Sequence, residues 1–400
     1  MLNSSRRVPT YGFGALLGFV ACGGAGERTP PVTPAPSAVA SADKVSSNAA
    51  ASPKFAVYVG LGDFSDDPKG SVRVYSFDQA TAALQLQQDL KVGHLATYLA
   101  IAPNQRTLYL ADEATHHLYC FRIAPNSGTL TPLCRVDCHG NPVYLTVDAP
   151  GKTLLTTFYN QGQTQAFALN EDGSIGAATD LEASGRRSHA VVLDRDSHFA
   201  YVPALEDDWI AQYRFDSENH QLTPNPDAQN FANIGPKGAG PRHFQFDPQN
   251  RFGYLVNELA LSVSTYELDP KTGLLRAAHP PTSTLESSAE KPQDAAAADI
   301  HVHPNGRFLY TSNRMGEKSS ISLFSLAPET GKPTLVAEES TRGSTPRNFK
   351  VSPDGRHLLV ANQDSKNLVA FALDSSSGKL SYLATTALPE KPYFVGFGRF

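Results

Sequence analysis

DIHVHPNGRFLYTSNR, residues 299–314, reads as an apolar run, a polar turn and a second apolar run, and the chain writes it six times. The other copies are YLAIAPNQRTLYLADE (98–113), YLTVDAPGKTLLTTFY (144–159), AVVLDRDSHFAYVPAL (190–205), HFQFDPQNRFGYLVNE (243–258) and NFKVSPDGRHLLVANQ (348–363). A turn such as Pro-Asp-Gly-Arg between two β-rich runs predicts an antiparallel hairpin. The copies start 46, 46, 53, 56 and 49 residues apart. Several strands in each unit of about 45–55 residues is the pattern of an all-β propeller. A second hairpin follows every copy, with strands separated by Asp, Asn, Gly and Ser turns, so each unit supplies four strands.

Six units are complete and a seventh is divided between the ends. YFVGFGRF (393–400) has the character of a first strand with no successor, while KFAVYVG (54–60) and SVRVYSFD (71–78) look like second and third strands with no predecessor. Joining them closes the ring and leaves no unpaired strand edge. The expectation is a seven-bladed β-propeller over residues 54–400, with the two terminal strands paired in one blade. A single core of that length would exceed the usual limit, but blades that pack only on their neighbours escape it.

Residues 1–22 read as an export signal, with Arg6 and Arg7 before the weakly polar run 11–21, which is too short to span a bilayer as a helix. Phe19-Val20-Ala21-Cys22 resembles a bacterial lipobox, with Phe19 in place of the usual Leu, and implies lipid on Cys22; cleavage near Ala21 by an ordinary signal peptidase is the alternative. Gly23 after that cysteine implies the outer rather than the inner membrane. Residues 23–53 are rich in Ala, Ser, Pro, Thr and Gly, a flexible tether. The location expected is that of an exported periplasmic or outer-membrane lipoprotein of a Gram-negative bacterium, touching the membrane only through Cys22 and otherwise a monomer. Outside the cytoplasm a disulfide is permitted. Cys120 and Cys134 lie equally far from the turn 125–128 and can face each other across a hairpin, Cys134 with Cys138 is the competing pair, and one thiol is left over either way. Cys134, Cys138 and His139 lack the ligand number and spacing of a zinc site.

Charged residues make up 18% of the chain and the net charge is −5, which excludes a nucleic-acid footprint. There is no G-x-S-x-G elbow, H-E-x-x-H pair, calcium loop or Gly-rich phosphate loop, so no serine hydrolase, metal or cofactor is called for. Chemistry is expected where the repeat varies. In a propeller the start of each first strand and the end of each second strand share one mouth of the channel. Those places carry His189, Arg242-His243, Asp299–His301, Arg347-Asn348, Asp112-Glu113, Tyr159-Asn160, Asn257-Glu258, Asn313-Arg314 and Asn362-Gln363. Guanidinium, imidazole, carboxylate and amide groups from distant stretches would thus converge, as a small-molecule site requires. Each alone has a plainer reading: an interblade tie for an arginine, a structural donor for His189, an ion pair for Glu258 with Arg242. Arg106, Arg251, Arg307 and Arg356 recur at one turn of the opposite rim and are read as structural.

The segments GAGPRHFQFDP (238–248), VNEL (256–259), AADIHVHPNGRFLY (297–310) with Asn313-Arg314, TPRNFKV (345–351) and SHAVVLDRDSHFAYVPALEDD (188–208) closely resemble the bacterial 6-phosphogluconolactonase family of seven-bladed propellers. That family is related to the carboxy-cis,cis-muconate lactonizing enzyme, and the resemblance runs from about residue 55 to 400. It implies a metal-independent lactonase, a carboxylic ester hydrolase acting on a sugar-acid lactone, with His189, Arg242, Glu258 and Arg314 at the catalytic positions. His189 or Glu258 would be the base, Arg242 the oxyanion donor, and Arg314 with Arg347 an anion clamp, helped in substrate binding by His243, His301, Asn313 and Asn348. Phe158 departs from an Asn common in the family and would remove a polar group from the mouth. Ala204-Leu205-Glu206 is a milder departure. The family's substrate is a cytoplasmic intermediate, whereas this chain carries an export signal. The alternative to a lactonase is therefore a non-catalytic surface propeller that binds a sugar acid, a cell-wall fragment or a protein partner.

Overall fold

The computed structural model describes residues 55–65, 69–228, 237–286 and 292–399. The export signal, the lipobox-like Cys22 and the 23–53 tether lie outside the described residues. Among the described residues no helix is long and apolar enough to cross a membrane. They form seven four-stranded antiparallel sheets arranged as propeller blades. Six blades are continuous: blade 2 (96–137), blade 3 (142–183), blade 4 (192–224), blade 5 (241–283), blade 6 (296–340) and blade 7 (346–387). Blade 1 combines Phe55–Leu61, Ser71–Phe77 and Leu84–Lys91 with the C-terminal Pro392–Arg399. Phe55 pairs with Arg399 and Val59 with Val395, so the two ends of the domain close the ring as the split repeat predicts.

Burial explains the repeated apolar runs. Second strands such as Thr107–Asp112, Phe252–Asn257 and His357–Asn362 are buried along their whole length, because both faces of a blade meet a neighbour. Outer strands such as Leu84–Lys91 are mostly exposed, with only Leu84, Gln88 and Leu90 partly buried. The polar turns of the repeat close each inner hairpin. Asp247 Oδ1 accepts the backbone N–H groups of Arg251 (2.7 Å) and Phe252 (2.9 Å), and Asp148 and Asp194 do the same in their blades. The fourth position of every such turn has positive φ, which makes Gly306 and Gly355 the easiest residues to place there.

The tyrosine inside the second run ties the ring together. Tyr58, Tyr109, Tyr201, Tyr254 and Tyr310 each donate a hydroxyl bond of 2.7–2.9 Å to a glycine carbonyl of the following blade, at Gly128, Gly173, Gly273, Gly331 and Gly378. At the turn rim Arg307 donates to Ser376 O (3.2 Å), and Arg251 donates to Pro328 O, as interblade ties. Arg356 lies 3.9 Å from Asp354, and Arg106 lines a cavity between blades 2 and 3. Of the alternative cysteine pairings, Cys120 with Cys134 is the one formed, across neighbouring strands of blade 2, and Cys138 is free.

Candidate active site

A one-residue slip repeated around the ring builds the site. At the start of the first strands the ladder passes over a single residue: Thr97 between the pairs Ala96/Asp112 and Tyr98/Ala111, and likewise Val143, Arg242, Arg347 and Tyr393. In blade 6 the ladder instead passes over Ala298 and Asp299 opposite Ser312. In blade 4 the first strand shrinks to Val192–Leu193, and His189 holds its place through a 3.0 Å bond from its N–H to Pro203 O. A β-bulge turns the extra residue out of the pleat and re-aims its side chain. Here the bulged residues border the channel mouth. Val143, His189, Arg242 and Arg347 line one cavity of ≈ 180 Å³ together with Phe64, Glu113, Tyr159, Glu258 and Arg314. Glu113, Tyr159, Glu258 and Arg314 fill corresponding places, at or just beyond the ends of the second strands.

Below the mouth lies a second layer. Tyr98 stacks on Tyr144 with ring centroids 4.1 Å apart, Tyr144 meets the His243 ring at 5.4 Å, and Phe394 meets Tyr98 at 4.8 Å. The buried Asp299 anchors this layer. Its carboxylate accepts bonds from His243 Nδ1 (2.7 Å), Asn348 Nδ2 (2.6 Å), His301 Nε2 (3.2 Å) and the N–H groups of Ile300 and Phe349. Burial pushes that carboxyl up, but His301 and His243 outweigh it and hold Asp299 ionised, well below the usual carboxylate range. Between the layers there is a crevice of ≈ 10 Å³, room for about one water. A third layer, with Gln245, His301 and Lys350, faces a separate cavity of ≈ 310 Å³ towards the other rim.

The expected residues therefore separate by depth. His189, Arg242, Glu258, Arg314 and Arg347 come together at the mouth. His243 and Asn348 stand one layer down and His301 two, all three bound to Asp299. Asn313 is buried inside blade 6, where its amide donates to Ser320 Oγ (3.1 Å) and Ser322 Oγ (2.8 Å). Asn257 and Asn362 sit at the same place in blades 5 and 7, and Phe158 takes it in blade 3, where it too is fully buried. The Phe158 departure thus concerns packing within a blade and removes nothing from the mouth. Glu113, Tyr159, Val143 and Phe64 complete the wall; the first two were visible in the rim positions, and the others carried no polar signal.

Volume alone does not single out this cavity, since the ≈ 310 Å³ one and a third of ≈ 740 Å³ between blades 2 and 3 are larger. Charge does. Glu258 bridges two guanidinium groups, with Oε2 2.9 Å from Arg242 Nε and Oε1 2.9 Å from Arg314 Nη2. Burial raises the Glu258 carboxyl, yet Arg314 and Arg242 prevail and keep it below the ordinary glutamate value. Arg242 is 1% exposed, and Nη1 also donates to Ala298 O and contacts His243 Nε2 at 3.2 Å. Burial lowers its pKa to about 9, still charged at neutral pH. His189 is buried beside it, its Nδ1 has no partner, and burial followed by the charge of Arg242 holds it neutral, well below the usual histidine range. Among the described residues Arg347 forms no ion pair and overlies the Tyr393 ring at 5.2 Å. The arrangement offers a neutral imidazole acceptor, fixed guanidinium donors and, in Arg347, a cation without an ion pair among the described residues, around a space for a single small ring.

Residues 57–397 match the family described as lactonase, 7-bladed beta-propeller. A 6-phosphogluconolactonase of Formosa agariphila is 31% identical over 341 residues, covering 81% of this chain and 94% of that protein. The 6-phosphogluconolactonase of Pectobacterium carotovorum is 31% identical over 317 residues, 79% of this chain and 92% of its own. Among solved structures, the periplasmic gluconolactonase of Pseudomonas aeruginosa superposes with a TM-score of 0.78 at 27% identity, covering 86% of this chain and 99% of that one.

Proposed function

The chain belongs to the seven-bladed β-propeller lactonase family, and from that premise we propose that it hydrolyses a sugar-acid lactone at the channel mouth. The observation that carries this reading is the gathering of His189, Arg242, Glu258, Arg314 and Arg347, from four blades, in one cavity of ≈ 180 Å³.

Opening a lactone requires water to attack the carbonyl carbon, a base to take the water's proton, and donors where the oxyanion forms. His189 is the better base. Glu258 is occupied by two guanidinium groups that stabilise its charged form and weaken it as an acceptor. His189 Nδ1 is vacant, and the imidazole is neutral across the working pH range. Its low basicity stems partly from the charge of Arg242, the same group that would meet the oxyanion. As negative charge grows on the carbonyl oxygen it offsets Arg242, so the base strengthens as the proton moves. Glu258 then orients Arg242 and Arg314, and no metal enters the scheme. Arg347, which forms no ion pair among the described residues, takes an anionic or hydroxyl-bearing end of the substrate.

An unphosphorylated aldonolactone met outside the cytoplasm accords with the export-type N-terminus and with the periplasmic gluconolactonase of Pseudomonas aeruginosa. Lipid attachment at Cys22 belongs to the same reading, and Cys22→Ser should then abolish partitioning into detergent. A pH-stat assay of the purified protein on gluconolactone and its 6-phosphate tests the activity. Turnover should exceed the spontaneous rate and fall by about 10²–10³ in Arg242→Ala. No turnover on either lactone, or rates untouched by Arg242→Ala and Glu258→Ala, would leave the non-catalytic binding role in its place.

A further inference from the structure

Base and oxyanion donor account for half of lactone hydrolysis. When the tetrahedral intermediate collapses, the carbon–oxygen bond of the ring breaks, and its oxygen leaves as an alkoxide unless a proton reaches it. Of the groups assigned so far, only the imidazolium that His189 becomes in the first step has a proton to give. Glu258 is held ionised between Arg242 and Arg314, and the guanidinium groups are poor acids. Tyr159 faces the cavity, but burial raises its hydroxyl and makes it hold its proton more tightly.

One group on the wall remains. Glu113 follows the second strand of blade 2, the place that Glu258 occupies in blade 5. The two carboxyl groups enter the same cavity from separated blades and meet opposite surroundings. Glu258 has an arginine on each oxygen. Among the described residues Glu113 forms no ion pair; its backbone N–H donates to Thr97 Oγ1 (3.3 Å), its buried Oε2 has no hydrogen-bond partner, and the Thr97 and Asn141 side chains lend its charged form only partial support. A buried carboxylate oxygen without a hydrogen-bond partner carries a desolvation penalty that a proton relieves. Two carboxyls in one site with divergent environments is the pattern that separates acid from base roles.

We propose that Glu113 is the general acid that protonates the departing ring oxygen. This rests on the lactonase reading above. In the sequence of steps, His189 takes a proton from water as the new carbon–oxygen bond forms. Glu113 then gives its proton to the ring oxygen as the old bond breaks. The product carboxylic acid and the imidazolium release their protons, one returning to Glu113 and one leaving to solvent. Burial favours the protonated form of Glu113, and the charges of Arg347 and Arg242 with the Thr97 and Asn141 side chains oppose it without cancelling it, so the carboxyl lies above the usual glutamate value. The acid is therefore in the correct state over a wider pH range than an exposed glutamate would be. With rising pH it ionises, and kcat/KM declines.

Glu113→Gln keeps the shape and removes the transferable proton. On gluconolactone it should lower kcat by about 10²–10⁴ with KM little changed, and it should erase the alkaline decline of kcat/KM. Glu113→Asp should retain that decline with an intermediate rate, and Tyr159→Phe should retain the decline as well. Thermal melts equal to the parent protein exclude misfolding as the cause. A Glu113→Gln protein as fast as the parent, or one that is slow but keeps the alkaline decline, overturns the assignment while the lactonase reading stands. If the parent protein itself fails to exceed the spontaneous rate, both fall together.

Discussion

Acidification should destabilise this domain through the imidazoles of the channel, and His243 allows the effect to be worked through. Burial and then the charge of Arg242 lower its pKa from 6.5 to about 4, and the bond to Asp299 does not reverse this. Between those values the unfolded chain binds the extra proton and the folded one does not. The contribution is complete above pH 6.5 and is lost as pH falls towards 4. At pH 5 the loss from this one group is about 2 kcal/mol relative to pH 7. His189 and His301 are also lowered by burial and act in the same direction. Glu113, raised by burial, acts in the opposite one, its contribution declining as pH rises. Comparing urea unfolding at pH 7 and pH 5 for the parent protein and His243→Gln isolates the imidazole, since glutamine does not titrate. The variant should be less stable at both pH values, because Asp299 loses a donor, but its pH-dependent loss should be smaller by about 2 kcal/mol. An equal loss in both proteins would refute the assignment of a neutral, proton-resisting His243.

Three other outcomes follow from the packing. Tyr254→Phe deletes the 2.9 Å bond to Gly331 O and leaves a buried carbonyl unmatched, which should cost about 1–3 kcal/mol in chemical denaturation. Reduction of Cys120–Cys134, whose partners are 14 residues apart, should cost about 3 kcal/mol; Cys138, its thiol pushed up to about 12 by burial, should alkylate slowly in the native protein. Removing 393–400 strips the strand that pairs with Phe55–Leu61 and should abolish a single cooperative unfolding transition; a small shift in midpoint would contradict closure through the termini.

The ring and its closure were legible in the sequence because both rest on features that recur: the run–turn–run unit, the aspartate of the turn, and the divided seventh copy. The mouth was legible to the level of the rim, since Arg242, Glu258, Arg314, Arg347 and His189 break the repeat where the channel opens. Depth was not. Which of Arg242 and His243 faces the cavity depends on a one-residue slip in the ladder, and no residue type announces a bulge when Thr97, Val143, Arg242 and Tyr393 can all occupy one. Asn313 looked like a mouth amide because it precedes Arg314, but it turns inward to serine hydroxyls supplied by the next strand. Glu113 was visible in the rim, yet its importance lies in what is missing around Oε2, and an absent partner leaves no trace in a sequence.

The slip itself separates two kinds of inheritance in one chain. A residue that the ladder passes over pairs with no residue on the neighbouring strand, so changing its side chain leaves the register of the blade intact. Five blades therefore offer one position where chemistry can be rewritten with little change to the scaffold, and three of these, Val143, Arg242 and Arg347, face one cavity together with His189 of blade 4. A designer, or natural selection, could exchange Val143 or Thr97 for a charged or hydrogen-bonding group and alter what the mouth accepts without asking the sheet to refold. The propeller behaves here as a socket with interchangeable pins, two of them guanidinium groups in this chain, with the His189 imidazole set beside them.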